Sequence, residues 1–215
     1  MKRTDWIISG FLAVLFLAVI GGFLIFWLQS RALANAPASQ VNNSNYERGG
    51  TVEDGITAVD ALGTADIAAQ TWQADAQMVT ASATIVRFDQ LEDIYGGRTN
   101  WSVVYYSPST TQFGTFTVTG QGASLLGTKQ ADFVPRIIER NAVVLNSGQA
   151  MTLAVANGGS ELFVGDAQRV AHLSLEKKES GVAEWHIVIQ NETAGLNLQF
   201  RIDAENGVLI EKSDL

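Results

Sequence analysis

The chain has no cysteine, two histidines and three prolines in 215 residues. Without cysteine there are no disulfides, thiolate nucleophiles, iron–sulfur clusters or cysteine-ligated zinc sites. Two histidines leave few metal or acid–base constellations, and no motif calls for a cofactor. Basic residues are also scarce: Lys and Arg total 14 against 22 Asp and Glu, for a net charge of −8 and a pI near 4.7. Nucleic-acid binding needs a basic face to displace counterions, so no nucleic-acid partner is expected. Charged residues are 17% and hydrophobic residues 47%, which excludes disorder throughout.

The first feature present is a run without charge, Trp6 to Leu28, 23 residues in which only Ser9 is markedly polar. As a helix it rises roughly 34 Å, enough to cross a hydrocarbon core of about 30 Å. Trp6 and Trp27 stand near its ends, where amphipathic rings favour the headgroup layer. Lys2, Arg3 and the α-amino group precede it, whereas residues 32–215 carry 11 basic and 21 acidic groups. This asymmetry predicts a single-pass anchor in the cell membrane, with a cytoplasmic N-terminus and an extracytoplasmic bulk. Ala32-Leu33-Ala34 and Ala34-Asn35-Ala36 also suit signal peptidase, but a signal's apolar region is shorter, and the retained anchor is the better reading. Ala18, Gly21 and Gly22 are candidates for close packing against another transmembrane helix.

Residues 31–55 lack periodicity and hold Pro37 and Gly49-Gly50, which reads as a flexible tether. The rest repeats weakly at an offset of 84 residues. Trp101 maps to Trp185, Val104 to Val188, Phe116 to Phe200 and Leu125 to Leu209, with Leu126 opposite Ile210. In the second copy, residues 148–157 read as a short helix, followed by strands at 169–177, 183–190 and 196–204. Leu196, Leu198, Phe200 and Ile202 alternate with polar residues, so one face is buried and the other wet. Asn206-Gly207 opens a further turn. The first copy is expected to follow suit, with a helix at 64–78 and strands at 81–89, 100–107 and 112–120. Asp132 as cap and Pro135 in a first turn predict a lead-in helix over 132–145. The expected division is 1–30 tip and transmembrane helix, 31–55 linker, 56–130 first module and 131–215 second module. The fold class is therefore α+β: a transmembrane helix, then two helix-plus-antiparallel-sheet modules.

A helix, strands with a Trp on the second, and the run Phe200-Arg201-Ile202-Asp203-Ala204-Glu205-Asn206-Gly207-Val208-Leu209 resemble the PepSY domain. The likeness covers residues 148–211. It reaches 64–127 only through the repeat, because Thr119-Gly120-Gln121-Gly122 replaces the Asp-Ala-x-x-Gly turn, and Asn206 stands where that family more often has Thr. The resemblance implies a cystatin-like fold in the manner of membrane-anchored tandem PepSY proteins. It also implies a role in modulating proteases or as an extracytoplasmic accessory domain, with no enzymatic reaction.

The residues themselves give little chemistry. Alternation allows two registers for the hairpin 169–190, with Lys178 beside Glu184 or Lys177 beside Ala183. His186 then faces Glu176 or Ser174, and the two histidine Cα atoms stand roughly 8–14 Å apart, short of a third metal ligand. There is no Gly-x-Ser-x-Gly elbow. Glu53-Asp54 and Glu92-Asp93 read as solvated pairs, and Gly120-Gln121-Gly122 lacks the Lys-Ser/Thr of a phosphate loop. Asn42, Asn100 and Asn191 fit the glycosylation pattern. Trp101 and Tyr105 are expected in the core, with Tyr106 on the exposed face.

The expected function is non-enzymatic binding of another membrane or extracytoplasmic protein through His186, Arg201 and Tyr106, with the lipid bilayer engaged through residues 6–28. The alternatives are an accessory subunit held by its membrane helix and, from another class, a hydrolase using surface carboxylates.

Overall fold

The computed structural model describes residues 55–86, 98–162, 169–191 and 193–215. Helix α1 (Ala58–Trp72) starts at Thr57, whose hydroxyl accepts from Asp60 N, and it buries Ala58, Ala61, Leu62, Ala65 and Ala69. That stripe follows the helical period, and its mostly one-carbon side chains let the helix lie close to the sheet. Its last residue, Trp72, rests on Gly114, where an added Cβ would stand 2.9 Å from the indole ring. The strands β1 (Gln77–Val86), β2 (Trp101–Ser107), β3 (Gln112–Thr119) and β4 (Gly122–Gln130) follow. Helix α2 (Ser147–Ala156) begins at Asn146, with Gln149 Oε1 accepting from Asn146 N to close a capping box. It is followed by β5 (Arg169–Lys177), β6 (Ala183–Asn191), β7 (Leu196–Asp203) and β8 (Leu209–Asp214).

The eight strands among the described residues form one antiparallel sheet in the order β4-β3-β2-β1-β5-β6-β7-β8. Each half is a helix followed by a four-strand meander, and the halves join where β1 pairs with β5, from Thr80 opposite Glu176 to Val86 opposite Val170. Both helices cover the face that carries Trp101 and Trp185, whose rings meet edge-on at 6.0 Å beneath them. The two indoles play matching parts: Trp101 Nε1 donates to Ile56 O and Trp185 Nε1 to Leu145 O, each carbonyl lying just before a helix cap. The helix N-termini also meet. Ala58 N donates to Ser147 Oγ at 3.0 Å and Val59 N to Asn146 Oδ1 at 3.2 Å, so residues of the second half satisfy orphan amides of the first helix. Arg140, on a short 3₁₀ turn, donates to Val59 O and pairs with Asp66, which also accepts from the buried Tyr105 hydroxyl at 2.6 Å. Burial first, then the Asp66 carboxylate, push the Tyr105 hydroxyl well above its ordinary pKa.

This architecture corrects the expected fold class. The repeat is visible as two helix-plus-meander units, but they share one sheet and one core instead of standing as separate modules. Among the described residues no helix is long and apolar enough to cross a membrane. The expected span 6–28, with Ala18, Gly21 and Gly22, lies outside the described residues, as do Glu53-Asp54, Glu92-Asp93 and Asn42.

Helix α1 stands six residues earlier than the repeat implied. Its cap Thr57 corresponds to Asn146, an offset of 89, because the loops between helix and first strand differ in length while β2–β3 and β6–β7 keep the offset of 84. Each half has a fourth strand. The expected helix over 132–145 is absent: the segment is irregular apart from the 3₁₀ turn Arg140–Ala142, and its Ile138 N donates to Met78 O. Of its apolar residues only Ile138 and Val143 are buried, while Phe133, Val134 and Val144 are exposed, so the segment has no continuous apolar stripe to hold a helix against the sheet.

Candidate functional site

Among the described residues, no helix lies on the second face of the sheet. There, cross-strand pairing sets one polar residue of each strand in a single row. Hydroxyls occupy the first five places (Ser124, Thr117, Ser102, Ser82 and Ser174), and His186, Arg201 and Glu211 complete it. The first half of the face thus offers hydroxyl groups and the second offers charge.

The structure selects the register that sets Lys177 opposite Ala183, so His186 sits between Ser174 on β5 and Arg201 on β7. His186 is half-buried, and its Nε2 is enclosed without a hydrogen-bond partner among the described residues. Ser174 donates to Glu176 at 3.2 Å, so it is not activated by the imidazole across from it. Glu176 also accepts from Lys178 at 2.6 Å. That hydrogen bond, opposed by partial burial and helped by the Ser174 hydroxyl, holds the Glu176 carboxyl below the usual carboxylate range. Arg201 lies across three strands: Nε and Nη2 reach Glu184 at 2.9 and 2.8 Å, and Nη1 reaches Glu211 at 2.6 Å. The Glu184 side chain is only 3% exposed. Glu184, then Glu211, raise the Arg201 pKa further. Around His186 these side chains leave a shallow depression of about 480 Å³, lined by Lys178, Glu179, Ser180, His186, Gln199, Arg201 and Glu211.

The three candidate residues therefore differ in what they can offer. His186 and Arg201 come together as cross-strand neighbours, although the Arg201 guanidinium is already engaged by two carboxylates. Tyr106 is 5% exposed, not open. It lies on the expected face, but Phe113 packs against it at 5.5 Å and Phe133 against Phe113 at 5.6 Å. His172 is exposed on the same face and shares a hydrogen bond with Thr84 at 3.0 Å. Among the described residues no group of three or more His, Asp or Glu stands where it could hold a metal ion. Of the glycosylation patterns, the one at Asn191 is closed by the fold: the side chain is fully buried and donates to Leu162 O. Buried Glu184 escaped the sequence reading. Its place in the alternation put it on the wet face, and nothing local announced the Arg201 that covers it.

The acid response of the Lys178–Glu176 pair is a first expected result. A carboxyl with a lowered folded-state pKa contributes stability above its unfolded value, about 4.5, and loses it as the pH falls through the folded value. Lys178→Met should therefore destabilise by a constant amount at neutral pH, and the gap to the parent should close below about pH 4.5. Urea melts between pH 3 and 7 measure this; a gap unchanged at pH 3 would assign it to lost packing.

No protein-family model matches the chain, and no curated protein matches it. The PepSY and cystatin-like assignments therefore have no family match behind them, and the fused eight-stranded sheet departs from the separate modules they implied. Among solved structures, the chain is similar to the crystal structure of "a putative lipoprotein" from Clostridium difficile 630. The TM-score is 0.51 and the identity 14%, over 76% of this chain and 95% of that one. At that identity the likeness shows a shared fold.

Proposed function

We propose that this chain is a non-catalytic binding protein that works outside the cytoplasm and receives a protein partner on the polar sheet face, centred on the depression beside His186. The observation that carries the reading is the one-sided covering of the sheet. Both helices lie on the tryptophan face, and the opposite face is a broad, polar, hydrogen-bonding surface with modest relief, the character of a non-obligate protein contact. The state of its ionisable groups supports binding over catalysis. Ser174 donates to a carboxylate, Glu176 and Glu184 are held by cations, and Arg201 is engaged by two carboxylates, so none of these four groups is poised as nucleophile or base. The fold shared with a protein described as a lipoprotein supports the extracytoplasmic place of work.

Site-specific photo-crosslinking in the source cells tests this. Benzoylphenylalanine replaces Gln199 in the depression or, as control, Thr152 on the outward side of α2. A discrete protein adduct from position 199 that is absent from 152 is the expected result. Adducts from 152 alone, or the same adducts from both, would place the contact elsewhere.

A further inference from the structure

Among the described residues, the sheet ends in two strands, β4 and β8, that have a pairing partner on one side only. Such edges present a row of open N–H and C=O groups and are the usual route by which one sheet adds to another. Here both carry the same irregularity. On β4 the register passes from Thr115 opposite Gly127 to Phe116 opposite Leu125, leaving Leu126 as an extra residue. On β8 it passes from Arg201 opposite Glu211 to Ile202 opposite Leu209, leaving Ile210 extra. Leu126 and Ile210 are equivalent in the repeat at its offset of 84, and they are 74% and 44% exposed. A large apolar side chain in the open on each outermost strand is thus the extra residue of a bulge, which twists the strand and breaks the spacing of its free polar groups.

The two edges differ in their other defences. Beside its bulge, β8 carries Glu211, Lys212 and Asp214. On β4 the only charge is Lys129, near the end of Gly122–Gln130, and the strand has no proline. Were Leu126 removed, Leu125 and Gly127 would continue a one-to-one ladder with β3. The remaining eight residues would then form an edge complementary to itself in antiparallel pairing: Gly127 opposite Gly127, Leu125 opposite Thr128, Ser124 opposite Lys129. No like charges would meet. Neither the net charge of −8 nor any residue on that edge other than the bulge stands at the pairing line to prevent it.

We infer that the bulge at Leu126 is the device that keeps β4 from pairing with β4 of a second copy of this chain. Deleting Leu126 from the full chain is expected to double the mass measured by light scattering relative to the parent, with the far-ultraviolet dichroism and a cooperative melt retained. Two further variants separate register from stickiness. Leu126→Lys keeps the bulge and should have the mass of the parent. Deletion of Leu126 together with Thr128→Lys puts a charge in the middle of the straightened edge and should return the mass to that of the parent. The inference is overturned if the deletion variant folds with the parent's mass, or if its association survives Thr128→Lys. Failure of the deletion variant to fold overturns it too, because the bulge would then serve β3–β4 pairing itself.

Discussion

Replacing Trp185 with alanine is expected to lower the stability of the whole described domain by about 3–5 kcal/mol, the usual cost of emptying a core site of this size. The indole is fully buried, its Nε1 donates to Leu145 O, and its ring meets that of Trp101 across the seam. The substitution therefore removes packing volume at the junction of the halves and leaves a carbonyl unpaired beside the α2 cap. For a domain of this length the melting temperature should fall by roughly 10 °C. The shape of the transition carries equal weight. Independent modules would show the second half melting early while the first kept its own transition. A shared sheet and core predict one transition, displaced as a unit, whether the probe is near-ultraviolet dichroism or protease resistance of the first half. Two separated transitions would show that the seam does not couple the halves.

Arg201→Ala is expected to cost about 3 kcal/mol, far more than an ordinary change on a wet sheet face. Glu184 is enclosed and depends on Arg201 for compensation, so removing the guanidinium leaves a carboxylate that must stay buried unpaired or find water. Glu211, on the edge strand and half-exposed, loses little. A paired comparison separates these terms. Glu184→Gln with Arg201→Met removes both charges and keeps the volume, and it should recover most of the loss. Gln199→Ala, two residues away on the same face, should stay within about 0.5 kcal/mol. Chemical denaturation of the four proteins would decide. If Arg201→Ala matches Gln199→Ala, the clamp contributes nothing measurable.

Alternation made the second half legible. The strand 169–177 and the buried set Leu198, Phe200 and Ile202 stand where the pattern placed them, because a half-buried strand writes its orientation into every second residue. The same rule left two registers open, since both put odd residues opposite odd ones, and tertiary packing chose between them. The first helix was misplaced because the 84-residue offset belongs to strands. Loop length between helix and sheet is free to drift, and α1 drifted by five residues against α2. Pairing of β1 with β5 was not readable, because an edge that meets an equivalent edge has the same pattern as one that meets solvent. Tyr106 shows a related limit. Alternation gives the face on which a side chain lies, but the Phe113 and Phe133 that close over it come from elsewhere in the chain. At the candidate site, His186 and Arg201 were found by pattern. The engagement of Arg201 with Glu184 needed cross-strand register.

The meeting of the helix N-termini has a consequence for how such a duplicated chain is free to change. Two identical subunits joined about a symmetry axis must offer every contact twice, so a cap used at their junction has to exist in both. Here Asn146 and Ser147 supply side chains to Ala58 N and Val59 N, while the equivalent places in the first half are Thr57 and Ala58, and Ala58 has no hydroxyl to return. Tethering the halves in one polypeptide removes the demand for reciprocity. One side of the seam can specialise as donor and the other as acceptor, and the same freedom lets one outer face carry hydroxyls while the other carries charge.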